Sequence, residues 1–206
     1  MINLELVFSE IFLSLSIMAL LLIGVYKKNS TNMIYNLSVV SLLIILILNL
    51  NLFNSKDVTL FGNGYKIDFM SSFMKFLIAI SGIFVMLSSS KYLKVTKIFK
   101  IEYPILLLSS ILGMLIMISS NDLIVFYMGL ELQSLALYVL ASFDRNNKLS
   151  SESGLKYFVL SALSSGLLLY GCSLIYGFAG STNFDEISAN IDPVSYTHLR
   201  AHETSI

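Results

Sequence analysis

Six long apolar runs dominate this sequence and constrain its fold more than any other feature. An α-helix of roughly 20 residues crosses a bilayer core about 30 Å thick, because each residue adds about 1.5 Å. The runs have about this length, and polar segments separate them. They comprise residues 6–26, 33–53, 69–89, 103–119, 123–143 and 157–178. The sequence therefore predicts an all-α polytopic membrane protein with six transmembrane helices.

Composition agrees with this fold class and excludes several others. Hydrophobic residues make up 56% of the 206-residue chain and charged residues 13%, about half the charged share of an average soluble domain. The net charge of zero gives no indication of a nucleic-acid partner. The N-terminus lacks a basic segment, and no small-residue cleavage site follows the first run, so we interpret that run as a retained helix. Cys172 is the single cysteine, and we interpret it as a packing residue.

The basic residues of the loops predict an orientation. Nine of them flank alternate connections, after runs one, three and five, whereas the second connection carries only Lys56 and Lys66. The nine are Lys27, Lys28, Lys91, Lys94, Lys97, Lys100, Arg145, Lys148 and Lys156. Because basic loops remain on the cytoplasmic side, the N-terminus and the second connection are predicted to lie outside.

Two connections have recognisable local patterns. In residues 54–68, apolar residues alternate on both sides of a Gly-Asn-Gly sequence at 62–64, which predicts an external β-hairpin that acts as a lid element. Residues 120–122 join runs four and five so tightly that the two helices must be antiparallel. Asn121 or Asp122 is predicted to cap the fifth helix.

The segment after Ile191 differs from the rest of the chain. It resembles a translated sequencing adapter, so we interpret residues 1–191 as the membrane domain of a longer protein and residues 192–206 as a non-native tail. The tail contains both histidines, His198 and His202. Their four-residue spacing would suit metal ligands on a helix, but the character of the tail argues against a metal site there.

The fifth run contains the most informative charge. A charged carboxylate at the bilayer centre costs about 2.5–3.5 kcal/mol on insertion scales, and such residues are by default candidates for ion or proton pathways. Glu131 lies two residues from the midpoint of its run, too deep for so short a side chain to reach water. The alternative interpretation is a neutral Glu that forms hydrogen bonds between helices and only contributes to packing.

Hydroxyl groups share the helix face of Glu131. Tyr127, Ser134 and Tyr138 lie four residues before it, three after it and seven after it, so they form one strip beside the acid. Burial favours the neutral form of a carboxyl group, whereas a nearby ammonium favours the charged form. A Glu in this position is therefore suited to a proton relay with a lysine partner.

Three other charges are weaker candidates. Lys156 is expected about one turn inside a helix that begins near Ser151, where it either bends towards water or points into the bundle. Lys75, in the third run, is expected to reach the outer interface or to pair locally with Asp68. Glu10 lies within a turn of the outer end of the first run and is expected to be solvated.

Four stretches around these residues carry a specific resemblance. They closely resemble subunit N of bacterial NADH-quinone oxidoreductases, the antiporter-like membrane subunits of respiratory complex I. The stretches are NDL at 121–123, GLELQSLALYVL at 129–140, GLKYFVLSALSSG at 154–166 and YGFAGSTNF at 176–184.

The resemblance implies a fold of fourteen helices with two inverted five-helix repeats that begin at spans four and nine. This chain would contain the three leading helices and the first three helices of repeat one. The function implied is proton translocation coupled to quinone reduction. Glu131 would pair with a lysine on a broken seventh helix that this sequence lacks, and Lys156 would belong to the span-six motif of the family.

The resemblance also sets expectations for cofactors, partners and location. NADH, FMN, iron–sulfur clusters and quinone would bind other subunits, so we expect no cofactor, no metal and no redox chemistry on this chain. Its partners would be other membrane-arm subunits, the lipid bilayer and protons, in a bacterial inner membrane. One alternative is a subunit of a multisubunit cation/proton antiporter, although the segment 176–184 favours the oxidoreductase. Another is a membrane scaffold in which Glu131 only packs.

Overall fold

The computed structural model describes residues 4–27, 30–52, 57–96 and 98–191, and this part of the chain forms seven α-helices and one β-hairpin. In chain order the elements are α1 (Phe8–Tyr26), α2 (Thr31–Leu52), β1 (Val58–Leu60), β2 (Tyr65–Ile67), α3 (Phe69–Val95), α4 (Glu102–Ile118), α5 (Leu123–Ala141), α6 (Lys148–Ala179) and α7 (Phe184–Ile191). The tail, with His198 and His202, lies outside the described residues.

The structure confirms the all-α membrane class but does not confirm the predicted count of six transmembrane helices. Within the described ranges, five helices are long and apolar enough to cross a bilayer: α1, α2, α3, α5 and α6. The fourth predicted span corresponds to α4, an apolar helix of 17 residues. That length is a few residues below the roughly 20 that a bilayer core requires.

Two helix boundaries differ most from the prediction: α3 extends to Val95 instead of residue 89, and α6 starts earlier than expected. This helix begins at Lys148 rather than near Ser151, because the side chain of Asn147 accepts a hydrogen bond from the backbone N–H of Leu149 and caps the first turn. Two sequence predictions of local structure are confirmed. Asp122 caps α5 by accepting from the backbone N–H of Ile124, and a hairpin occupies residues 58–67.

Helices α1 to α4 form a four-helix bundle. Helix α1 packs against α2 and α4, and α3 packs against the same two helices, so α1 and α3 face each other across the bundle. Side chains from all four helices fill its interior, including Leu13 on α1, Leu42 on α2, Ala79 on α3 and Leu108 on α4, each fully buried. Close packing rather than water exclusion holds helices together in lipid.

Helix α5 lies against the outside of this bundle, in very close contact with α4. A side-chain carbon added to Gly113 would lie 2.6 Å from the backbone nitrogen of Gln133, and one added to Gly129 would lie 2.8 Å from that of Met117. Only glycine permits the two backbones to approach so closely. This contact fixes the position of Glu131, two residues after Gly129.

Hydrogen bonds cross-link three segments at one end of the molecule, and we call these segments the clasp. They are residues 61–67 of the hairpin, residues 119–122 between α4 and α5, and residues 180–185 from the end of α6 into the first turn of α7. The backbone carbonyl of Asn63 accepts from the side-chain amides of both Asn121 and Asn183. The backbone N–H of Asn121 donates to Gly64, and that of Leu123 donates to Thr182. The second, fourth and sixth connections therefore lie at the same end.

The other connections meet at the opposite end. Gly24 near the end of α1 contacts Ile101 before α4, and Tyr103 packs edge-to-face on Phe143 after α5, with ring centroids 5.8 Å apart. This alternation agrees with the predicted topology. Which end faces the cytoplasm stays a prediction.

Candidate functional site

Glu131 lies in the middle of α5, as predicted, and its carboxyl group has a free oxygen. Its side chain is half-buried, and the Oε1 atom is buried without a hydrogen-bond partner among the described residues. Ser134 donates to the backbone carbonyl of Glu131 at 3.1 Å, not to the carboxylate. Folded proteins leave few buried polar atoms unpaired, so this oxygen is an exception that calls for an explanation.

The predicted hydroxyl strip is partly used for packing. Tyr127 and Ser134 are half-buried, whereas Tyr138 is buried. The ring of Tyr138 meets Tyr157 and Phe158 of α6 edge-to-face, at centroid distances of 4.9 Å and 5.8 Å. This end of the strip therefore belongs to the α5–α6 interface. A conducting role for the strip stays a prediction.

Lys156 lies on the exposed side of α6. Its side chain is 68% exposed and forms an ion pair with Glu152, one turn earlier, with 2.5 Å between Nζ and Oε1. Exposed pairs of this kind contribute little stability, typically about 0.3–0.5 kcal/mol in a helix in water. In the part of the chain that is described, no hydrogen bond or ion pair links Lys156 to Glu131.

The expectations for Lys75 and Glu10 are wrong. Lys75 is fully buried and forms an ion pair with Glu10, with 2.6 Å between Nζ and Oε1, and Glu10 is only 5% exposed. Asp68 does not pair with Lys75. It caps α3 instead, by accepting from the backbone N–H of Ser71 at 2.7 Å. The ion pair crosses the bundle from α1 to α3.

Tyr65 of the hairpin completes this buried group. Its hydroxyl donates to Glu10 Oε1 at 2.7 Å and accepts from Lys75 Nζ at 2.8 Å. Burial, followed by the negative charge of Glu10, raises the pKa of Tyr65 far above its usual value of 10.0, so this hydroxyl keeps its proton. Ser9 donates to the other carboxylate oxygen of Glu10 at 2.8 Å.

The sequence contained a signal for this pair. Runs one and three enter the bilayer from the same side, and each carries one charge, of opposite sign, within its first two turns. Depth alone therefore places Glu10 and Lys75 at similar levels. Each charge was expected to lie at the boundary of its own helix. That expectation left out an ion pair between Glu10 and Lys75 across the bundle.

No metal site is evident in the described ranges. They contain no group of three or more His, Cys, Asp or Glu side chains close enough to hold an ion.

Comparison with known proteins identifies similar membrane subunits. Residues 120–204 match a family model described as "NADH:quinone oxidoreductase/Mrp antiporter, TM". NADH-quinone oxidoreductase subunit N of Pelagibacter ubique is 67% identical over 185 residues, which covers 90% of this chain and 39% of that protein. Subunit N of Maricaulis maris is 46% identical over 191 residues, which covers 92% of this chain and 40% of that protein.

Solved structures share the fold. A chain of respiratory complex I from Thermus thermophilus superposes with a TM-score of 0.72 at 26% identity, over 85% of this chain and 38% of that one. A chain of an archaeal membrane-bound sulfane sulfur reductase gives a TM-score of 0.79 over 89% of this chain and 39% of its own length. At 20% identity, the latter supports the fold alone.

The chain spans about two fifths of the length of the curated relatives it matches. Identity of 67% along nine tenths of this chain is far above what shared membrane composition produces, and the helices follow the complex I fold. Along nine tenths of its length, the chain is therefore similar to the NADH-quinone oxidoreductase N subunits.

Proposed function

We propose that this chain is part of a proton-translocating membrane-arm subunit of NADH-quinone oxidoreductase, in which quinone reduction elsewhere in the complex drives protons through a relay that includes Glu131. The observation that carries this proposal is the buried, unpaired oxygen of Glu131 in the middle of α5. Its Oε1 atom has no hydrogen-bond partner in the described residues, and an acid buried in a membrane helix without such a partner is a candidate for proton transfer.

Lys156 is proposed as a second group of the same pathway. It lies on a face of α6 that is uncovered within the described part of the chain, and its ammonium pairs only with exposed Glu152 there. The remainder of a full-length relative, about three fifths, is long enough to cover α6 and to supply the partner of Glu131. Once α6 is covered, Lys156 would be desolvated and able to exchange a proton.

The proposal assigns redox chemistry to other subunits. NADH, FMN, iron–sulfur clusters and quinone would bind there, and this chain would contact the remaining membrane-arm subunits in a bacterial inner membrane. The basic loops support an orientation with the N-terminus and the clasp outside.

The test uses the complete subunit assembled in its complex in membrane vesicles. We expect Glu131→Gln and Lys156→Gln each to reduce NADH-driven proton pumping at least tenfold, because a neutral amide cannot carry the proton. The measurement is pH-dye quenching on NADH addition, with the content of assembled complex determined on native gels.

Glu152→Gln is the matched control. It removes the exposed ion pair of Lys156 without touching the proposed pathway, so pumping should stay near the unaltered level. Normal pumping by Glu131→Gln at normal assembly would remove Glu131 from the pathway. An equal loss in Glu152→Gln and Lys156→Gln would assign Lys156 a structural role.

A second candidate function is that of a multisubunit cation/proton antiporter subunit. The matching family model also describes Mrp antiporters, which supports this candidate, whereas the curated relatives are named as oxidoreductase subunits. Rescue of growth in high sodium without any NADH-linked pumping would favour the antiporter.

A further inference from the structure

The hairpin end of the α1–α4 bundle contains a layer of buried polar side chains from α1, α2, α3 and the residue directly after α4, which we call the polar layer. Apolar side chains of the bundle core follow immediately in the direction of the opposite end. The members of the polar layer are Glu10 of α1, Asn49 of α2, Ser72 and Lys75 of α3, and Ser119 directly after α4.

Three members of the polar layer have side-chain polar atoms without partners in the described part of the chain: Asn49, Ser72 and Ser119. Asn49 and Ser72 are both fully buried. Neither amide atom of Asn49 has a hydrogen-bond partner among the described residues, and neither does the hydroxyl of Ser72. Folded proteins leave few buried polar groups unpaired, and ordered water usually satisfies those that the chain does not.

The alignment of α2 and α3 indicates that Asn49 and Ser72 lie at similar levels. The Tyr35 hydroxyl donates to the backbone carbonyl of Met86, which fixes how the two antiparallel helices align. Asn49 lies 14 residues after Tyr35, and Ser72 lies 14 residues before Met86. Ser72 and Lys75, three residues apart, share one side of α3.

The ion pair also has unused hydrogen-bonding capacity. An ammonium group has three N–H donors, and in the described part of the chain Lys75 uses two of them, on Glu10 and Tyr65. The Ser119 hydroxyl lies near that of Tyr65 and makes no hydrogen bond that meets the usual geometry. Unpaired donors and acceptors on α2, on α3 and directly after α4 therefore lie near the level of the ion pair.

We propose that the polar layer is a water-binding site, in which ordered water bonds the amide of Asn49, the hydroxyl of Ser72 and the third N–H of Lys75. A buried water needs two to four polar partners, and the polar layer offers that number. A metal cation would not suit the site, because the ammonium of Lys75 already occupies the position beside Glu10 and would repel it. This inference does not depend on whether the subunit pumps protons.

The first test is a cryo-electron microscopy map of the complete complex at a resolution where ordered water is visible in other parts of the membrane arm. We expect density for at least one water within about 3.2 Å of both the Asn49 amide and the Ser72 hydroxyl. Empty space at this position, or a direct bond between Asn49 and Ser72, would overturn the proposal.

The second test uses the sign of a stability change. Asn49→Leu keeps the side-chain volume and removes the polar partners. In a hydrated layer this change leaves the water and the remaining polar groups without a hydrogen-bond partner. We therefore expect the unfolding temperature of the subunit in the complex to fall by about 2–4 °C. In a dry layer the same change removes an orphaned amide, so the unfolding temperature would stay the same or rise.

Asn36→Leu is the matched control, because it makes the same change on an exposed face of the same helix. We expect little change in its unfolding temperature. An unchanged or raised unfolding temperature in Asn49→Leu would contradict the proposal. If Asn49→Leu does not assemble, the map of the unaltered complex decides the question.

Discussion

At the scale of single residues, the buried charges of this chain divide into two kinds. Glu10 and Lys75 neutralise each other at 2.6 Å, with Tyr65 bonded to both. Glu131 has no such partner in the described residues. A matched pair fixes geometry, whereas an unmatched acid can accept a proton. We therefore assign a structural role to the first group and propose a proton-transfer role for the second.

The pair makes a prediction about stability. Lys75→Met should destabilise the bundle strongly, by about 3–5 kcal/mol, because it leaves the carboxylate of Glu10 buried and uncompensated. The double variant Glu10→Leu with Lys75→Met should recover most of this loss, because two apolar residues replace two compensated charges. Thermal unfolding of the complex and the yield of assembled subunit measure both effects.

Lys66→Met is a control of the same type on the same hairpin, at a half-buried position beside Tyr65. It should change stability only slightly. If the double variant is as unstable as Lys75→Met, the two charges do not act as a pair.

At the scale of elements, the sequence predicted most of what is local. The apolar runs, the Asp122 cap and the turn at 62–64 each depend on neighbouring residues, and the structure confirms them. The partner of Lys75 depends on which helices face each other across the bundle, so its own helix could not reveal it. Helix α6 began earlier than predicted because its first turns are polar and their cap, Asn147, lies outside the apolar run.

The α4–α5 contact carries a prediction at this scale. Gly129→Leu should separate the two helices, because a side chain there would meet the backbone of α4 at Met117 and Gly113. Overpacking of this kind costs about 1–3 kcal/mol, and it also displaces Glu131. We expect reduced assembly on native gels and reduced pumping per assembled complex.

Met128→Leu is the control for this prediction, because the neighbouring side chain is 61% exposed. It should assemble normally. Normal assembly of Gly129→Leu would show that the two helices have room to move apart without cost.

At the scale of the whole molecule, the alternation of loops between the two ends follows from the helix order. Which end faces the cytoplasm is predicted only from the basic residues of the loops. We expect a cysteine introduced by Thr59→Cys, exposed on β1, to react with an impermeant maleimide added to intact spheroplasts. Asn146→Cys, exposed at the opposite end, should react only after permeabilisation. Both variants are made with Cys172→Ser, and the reverse pattern of labelling would contradict the orientation.

Helix α6 is largely uncovered in the described part of the chain, so the surroundings of the candidate site could not be predicted in full. Helix α6 buries only Gly154 among the described residues, and a side chain added at Gly166 would meet nothing within 4 Å. The relatives are more than twice as long as this chain, and the proposal for Glu131 and Lys156 assigns the covering surfaces to the additional length of those proteins. Depth in the apolar run predicted Glu131 as a candidate residue, and its role in proton transfer stays a prediction.

The clasp has a mechanical consequence for the helices that it joins. Backbone and side-chain hydrogen bonds connect the hairpin before α3, the turn between α4 and α5, and the loop after α6 at one end of the molecule. Such a junction resists sliding of these helices along their axes more than it resists tilting. Any relative tilting of these helices is therefore expected to be smallest at the hairpin and largest at the opposite end of the molecule.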